Sequence, residues 1–149
     1  MNTPLNTHRF PGLAHTFQPL GMALGLMVTL GGWGTGAIAQ TLTPQDLPRT
    51  VTGQTGGNQA TANCGTIDTL PAVELRLTSP SYLKLQVASG GDPTLYIEGP
   101  LNLCVLYDKT APQGLTTSGR WPAGDYRVFV GEKGGFSNPY TLTIQGSDQ

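Results

Sequence analysis

The sequence predicts an all-β domain, an antiparallel β-sandwich of about seven or eight strands. Short runs of alternating apolar and polar residues recur from residue 73 towards the C-terminus. Each run is bounded by Gly, Pro, Ser or Asn, the residues that end strands and form turns. After residue 39, no window of about 11 residues has the apolar spacing of an amphipathic helix. The recurrence of apolar residues at every second position therefore predicts an all-β fold.

Residues 1–39 are predicted to be a signal peptide, cleaved before Gln40. Residues 1–19 contain no acidic residue, the apolar run Leu20–Leu30 follows, and the triplet Ala37–Ala39 fits a signal peptidase site. The alternative is an uncleaved membrane anchor, because the apolar segment is close to the length of about 20 residues that spans a bilayer. Glycines recur through that segment and disfavour a stable helix. We therefore expect a secreted or periplasmic protein.

The charge of the mature chain limits its partners. Cleavage would remove Arg9 from the eight basic residues and leave all nine acidic ones, so the net charge would be −2. No basic stripe suits nucleic acid, and no polybasic or amphipathic segment suits a membrane surface. We expect neither partner after cleavage, and an extracellular glycan or protein remains a candidate.

The two cysteines, Cys64 and Cys104, are predicted to form a disulfide. An even number of cysteines in an exported chain favours pairing. The bond would close a loop of about 40 residues, for which the chain-entropy model gives roughly 4 kcal/mol. The alternative is two buried free thiols, and one cysteine pair without histidine is a poor zinc site.

The domain boundaries follow from composition and period. Residues 40–48 are rich in Thr, Gln and Pro and are predicted to be a flexible tail. The sandwich spans residues 49–146, beginning with a short strand near Arg49–Gly53, and residues 147–149 form a C-terminal tail. Residues 101–108 are apolar on both faces, which is typical of a central strand.

One stretch, WPAGDYRVFVGEKGG, contains a turn, an alternating strand and a second turn. Its alternation predicts that Tyr126, Val128 and Val130 point into the core, whereas Arg127 and Phe129 point outward. The Tyr126 hydroxyl is expected to reach solvent or a loop carbonyl. We expect Asp125 to bond nearby backbone N–H groups.

Three motifs resemble those of the bacterial pre-peptidase C-terminal domain. They are DPTLYI at Asp92–Ile97, AGDYRVFVG at Ala123–Gly131 and YTLTI at Tyr140–Ile144. The resemblance covers roughly Val73–Ile144. It implies a jelly-roll-like β-sandwich that is exported and usually appended to a secreted peptidase.

Catalysis and metal binding are restricted by the absence of histidine from the mature chain, since His8 and His15 both precede residue 39. This removes catalysis by Ser/His/Asp or Cys/His groups and metal sites with histidine ligands. We expect no catalytic residue, no metal and no cofactor. Loop acids could hold calcium, but capping of turns is the preferred interpretation of Asp92, Asp108 and Asp125.

The function predicted is an exported, non-enzymatic module of binding or structural type. One alternative is a small carbohydrate-binding module with an exposed aromatic platform formed by Trp121, Phe129, Tyr96 and Tyr107. Against it, Trp121 could cover the end of the sandwich and Phe129 could pair across strands. A second alternative is a hydrolase that uses only carboxylates, whose mark would be two acids facing each other in a cleft.

Overall fold

A computed structural model describes residues 39–111 and 114–147, and two β-sheets dominate this part of the chain. The strands are β1 (Gln40–Leu42), β2 (Arg49–Gln54), β3 (Gln59–Ala60), β4 (Thr66–Ile67), β5 (Val73–Leu77), β6 (Ser81–Ser89), β7 (Pro93–Glu98), β8 (Leu103–Leu106), β9 (Leu115–Trp121), β10 (Gly124–Glu132) and β11 (Pro139–Gly146). One 3-10 helix, Pro44–Asp46, follows β1. The predicted β-sandwich is confirmed. The strands outnumber the seven or eight expected because β1, β3 and β4 are too short to show alternation.

The two sheets have different strand orders. The larger sheet runs β1-β5-β10-β7-β8, with β4 beside the far end of β10 and β3 beside β4. The smaller sheet runs β2-β11-β6-β9. Neighbouring strands are antiparallel except β1 and β5, which are parallel. Each long alternating run of the sequence forms one of these strands.

The core lies between the sheets and is built from the inward positions of both. The alternation of β10 is confirmed for Tyr126, Val128 and Val130, which are all buried. The Tyr126 hydroxyl donates a hydrogen bond to the Pro122 carbonyl at 2.8 Å, the kind of partner expected for it. Burial raises the pKa of this phenol. The other strands contribute Val73, Leu75, Leu83, Leu85, Val87, Leu95, Ile97, Leu115, Leu142 and Ile144.

Phe129 is a correction to the sequence analysis. It faces away from the core, as predicted, yet only 3% of it is exposed. Its ring centroid lies 6.0 Å from that of Tyr96 on β7, and the Arg127 guanidinium lies 5.7 Å from the Phe129 centroid. The alternative weighed for it, a cross-strand pair, is confirmed. The alternation did not predict that this part of the outer face is covered.

The loop between β3 and β4 is attached to the larger sheet by the predicted disulfide. Cys64 in this loop is bonded to Cys104 on β8, with Cα atoms 5.7 Å apart, so pairing is confirmed. The Thr94 hydroxyl donates to the Cys64 carbonyl at 2.7 Å. Gly65 has φ +71°, and a Cβ there would meet the Glu132 carbonyl oxygen at 2.2 Å, so only glycine fits. The loop therefore lies directly on β7 and β10.

Two further expectations are wrong. Gln40–Leu42, placed in a flexible tail, pairs with Val73–Leu75 as a parallel edge strand. The strand at Leu103–Leu106 lies at an edge of the larger sheet, where Leu103 and Leu106 are exposed. Val105 packs against the core and Cys104 forms the disulfide, so the strand is not buried on both faces. Residues 1–38 of the predicted signal and residues 148–149 of the C-terminal tail lie outside the described residues.

Core variants should test the two faces of β10. We expect Val128→Ala to lower the free energy of unfolding by about 1–3 kcal/mol and Phe129→Ala by about 3–5 kcal/mol, because both side chains are buried. The control is Phe136→Ala, since Phe136 is 79% exposed. Denaturant unfolding measures all three. An unchanged midpoint for Phe129→Ala would contradict the covered outer face.

Removing the disulfide should destabilise the fold. We expect Cys104→Ser to lower the free energy of unfolding by about 2–5 kcal/mol, because the unfolded chain regains its freedom and the loop loses its attachment to β8. Thermal unfolding of this variant is compared with wild type in the presence and absence of a reductant. A reductant should lower the wild-type melting temperature and leave the variant unchanged; two free thiols in denatured, unreduced wild type would contradict the assignment.

Candidate binding surface

The four aromatic residues predicted as a platform do not form an exposed surface. Trp121 is 3% exposed and packs edge-on against Tyr126, with centroids 5.0 Å apart. It occupies an inward position at the end of β9, so it covers the end of the sandwich, the alternative weighed for it. Phe129 is buried, and Tyr96 and Tyr107 are half-buried. The expectation of an exposed strip is wrong because two of its members fill apolar spaces.

The described carboxylates are engaged by local partners. Three form ion pairs, Asp125 with Arg76, Asp92 with Lys109 and Glu98 with Arg127. Asp125 therefore bonds a side chain rather than the backbone N–H groups expected. Hydrogen bonds from threonines, through the side chain first and the backbone second, lower the pKa of Asp46 and of Asp108. The remaining described acids bond as Asp68 with Thr69, Glu74 with Thr41, and Glu132 as set out below.

Glu132 is a buried carboxylate that joins three loops. Only 2% of it is exposed. One carboxylate oxygen accepts from the backbone N–H groups of Asp92 at 2.9 Å and Gly134 at 3.0 Å. The other accepts from the Thr55 hydroxyl at 3.0 Å, and that hydroxyl accepts from the Asn138 N–H at 2.9 Å. The Glu132 carboxylate thus holds the backbone near Thr55, Asp92 and Gly134 in place. The sequence GEKGG predicted only a turn and did not indicate this role.

No metal centre is indicated in residues 39–111 and 114–147. No group of three or more His, Cys, Asp or Glu side chains there could hold an ion. Asp108 bonds the hydroxyl and N–H of Thr110 within its own turn, which is the capping role preferred in the sequence analysis. Asp92 and Asp125 are each paired with a cation instead.

The outer face of the smaller sheet presents ordered polar side chains, and we name it the threonine face. Its members occupy the outward positions of four adjacent strands and are half-exposed or exposed. The register places them in rows across the sheet: Thr52, Thr141 and Ala88; Thr50, Thr143, Gln86 and Thr116; Gln145, Lys84 and Ser118; Tyr82 and Arg120. Strand spacing and rise give a surface of roughly 14 by 20 Å.

The two outer faces differ in charge. The strands of the smaller sheet contain no Asp or Glu, and Lys84 and Arg120 stand on the threonine face without an ion pair among the described residues. The larger sheet has a shallow depression of about 450 Å³ on its outer face, where Glu74 lies near two ion pairs already described. That depression therefore has three carboxylates and two guanidinium groups, whereas the threonine face has cations and no carboxylate.

Removing the charge of Glu132 should loosen the three loops. We expect Glu132→Gln to lower the free energy of unfolding by about 1–3 kcal/mol, because an amide group has one acceptor oxygen and would turn a donor towards existing donors. Hydrogen exchange at the amides of Asp92 and Gly134 should accelerate. The control is Glu74→Gln, whose half-exposed carboxylate accepts one threonine hydroxyl. Equal stability of both variants would contradict the structural role of Glu132.

Comparisons with known proteins found a solved structure with a similar fold and a protein with a related sequence. No protein-family model matches it. The pre-peptidase C-terminal domain of collagenase from Bacillus anthracis has a similar crystal structure, with a TM-score of 0.50 and 14% identity over 72% of this chain and 94% of that one. The resemblance seen in the sequence is thereby confirmed at the level of the fold.

A curated protein of Synechococcus elongatus, described as uncharacterised, is 36% identical over 103 residues. The alignment covers 64% of this chain and 74% of that protein. The chain therefore belongs to the same family as the Synechococcus elongatus protein, in the fold of the pre-peptidase C-terminal domain.

Proposed function

We propose that the chain is an exported, non-enzymatic module that binds an extracellular glycan through the threonine face. The observation that carries the proposal is the set of rows across four strands, such as Thr50, Thr143, Gln86 and Thr116. A wide, open polar face on a sheet is suited to a long polar ligand that lies flat.

The chemistry of the rows matches sugar hydroxyl groups. Threonine and serine hydroxyls and glutamine amides both donate and accept hydrogen bonds, as sugar hydroxyls do. Their backbones are fixed by hydrogen bonds within the sheet, and β-branched threonine has few side-chain rotamers. Binding therefore costs less ordering entropy than it would on a loop. This mode does not need the exposed aromatic strip considered from the sequence.

The carboxylates support a non-enzymatic role. A glycoside hydrolase that uses only carboxylates needs one carboxyl as a general acid and a second as a base or nucleophile. The described carboxylates instead accept bonds from cations, threonines or backbone N–H groups, and the Glu132 carboxylate is held by three donors. Both cysteines are consumed in the disulfide. These engagements leave the described acids bound to partners that stabilise the fold.

The disulfide supports export, since such bonds persist in oxidising compartments. In residues 39–111 and 114–147, no helix has the length and apolar character needed to cross a membrane. A loop pinned by a covalent bond suits a protein that must remain folded outside the cell.

Substitutions on the threonine face should weaken binding without unfolding the protein. We expect Thr143→Val together with Thr50→Val to weaken binding to a polysaccharide about tenfold, because two hydrogen-bonding groups are lost while the shape is kept. The measurement is a polysaccharide array followed by titration calorimetry on the strongest binder. The matched control is Thr41→Val on β1 of the other sheet. Equal loss in the control, or a wild type that binds no polysaccharide, would contradict the proposal.

A further inference from the structure

We infer that the glycan is anionic, a polysaccharide bearing carboxylate or sulfate groups, and that Tyr82, Lys84 and Arg120 form the end of the threonine face that selects it. This inference rests on the proposed function and specifies its ligand. It is carried by the position and the charge environment of these three residues.

The register brings the three residues together. Tyr82 on β6 lies directly opposite Arg120 on β9, and Lys84 lies opposite Ser118. Lys84 and Arg120 are therefore diagonal neighbours on one face, with Cβ atoms roughly 7 Å apart. Both side chains are long enough to reach acidic groups on the same or adjacent sugar units. Tyr82 offers a half-exposed ring beside them.

Lys84 and Arg120 are two cations on one face whose four strands contain no acid. Arg76, Lys109 and Arg127 each contact a carboxylate, which satisfies the cation locally. Among the described residues, Lys84 and Arg120 lack such a partner, as do Arg49 and Lys133, but only Lys84 and Arg120 stand together on the threonine face. An anionic ligand would meet two unneutralised cations and no repelling carboxylate on this face. The mature chain has a net negative charge, so this local field is opposite in sign to the whole.

The rest of the face favours a polysaccharide over other polyanions. Nucleic acid binding is dominated by contacts of many Lys and Arg residues with phosphates. A membrane surface would likewise attract a cluster of several basic residues. Here two cations border a larger neutral area made of hydroxyl and amide groups, which suits a ligand with many hydroxyls and spaced charges. Arg120 can bind a carboxylate or sulfate with two N–H groups, whereas Lys84 acts as a point charge.

The experiment compares ligands that differ only in charge. Polygalacturonate is compared with its fully methyl-esterified form, and dextran sulfate with dextran, by titration calorimetry at low and high salt. We expect one acidic polymer to bind at least tenfold more tightly than its neutral counterpart, and its affinity to fall with salt because exposed charges are screened. Lys84→Gln and Arg120→Gln should each lower the affinity for the acidic polymer about tenfold.

The controls separate this inference from the proposed function. Arg76→Gln removes an exposed arginine from the outer face of the other sheet and should leave binding unchanged. Equal binding of the charged and neutral polymers would overturn the inference while supporting glycan binding. Binding of neutral polysaccharides alone on the array would likewise overturn the inference and support glycan binding. Failure of every polysaccharide would overturn both. Tighter binding to single-stranded DNA or to phosphatidylserine vesicles than to either acidic polymer would overturn the inference in favour of a different polyanion.

Discussion

The fold depends on a strand that is paired along both edges, buried on its inner face and covered at Phe129 on its outer face. Strand β10 pairs with β5 and β4 along one edge and with β7 along the other. Its inward residues fill the core, while Phe129 on its outer side is covered as well. Glu132 at its end holds loops from both sheets. Because backbone, apolar and ionic contacts converge on one strand, its position fixes the positions of most other elements.

Local alternation predicted the parts of the fold that depend on a single strand. The inward faces of β5, β6, β7 and β11 were recoverable because apolar residues recur at every second position and are buried against the opposite sheet. The disulfide followed from the cysteine count and the expected compartment. The burial of Phe129 was not recoverable, because it depends on tertiary contacts such as the packing of its ring against Tyr96 on β7. The edge position of β8 and the pairing of β1 also depend on tertiary contacts.

The candidate site was only partly predictable for a related reason. The sequence drew attention to aromatic residues, and Trp121 and Phe129 fill apolar spaces instead. The outward threonines, glutamines and cations were visible as the polar half of each alternating run. Their significance comes from the register, which aligns residues far apart in the chain, such as Thr50 and Thr143, into rows. The outer face of the larger sheet is covered at Phe129 and carries the ion pairs of Arg76 and Arg127, and the open face of the smaller sheet is the proposed binding surface.

The central claim is that the threonine face is where a ligand contacts the protein. The most direct measurement is a titration of isotope-labelled protein with oligogalacturonate fragments, followed residue by residue in backbone and side-chain amide NMR spectra. The account predicts that shift changes concentrate on β6, β9 and β11, with the largest near Tyr82, Lys84 and Arg120. Shift changes confined to the outer face of the larger sheet, or to the loops held by Glu132, would contradict it.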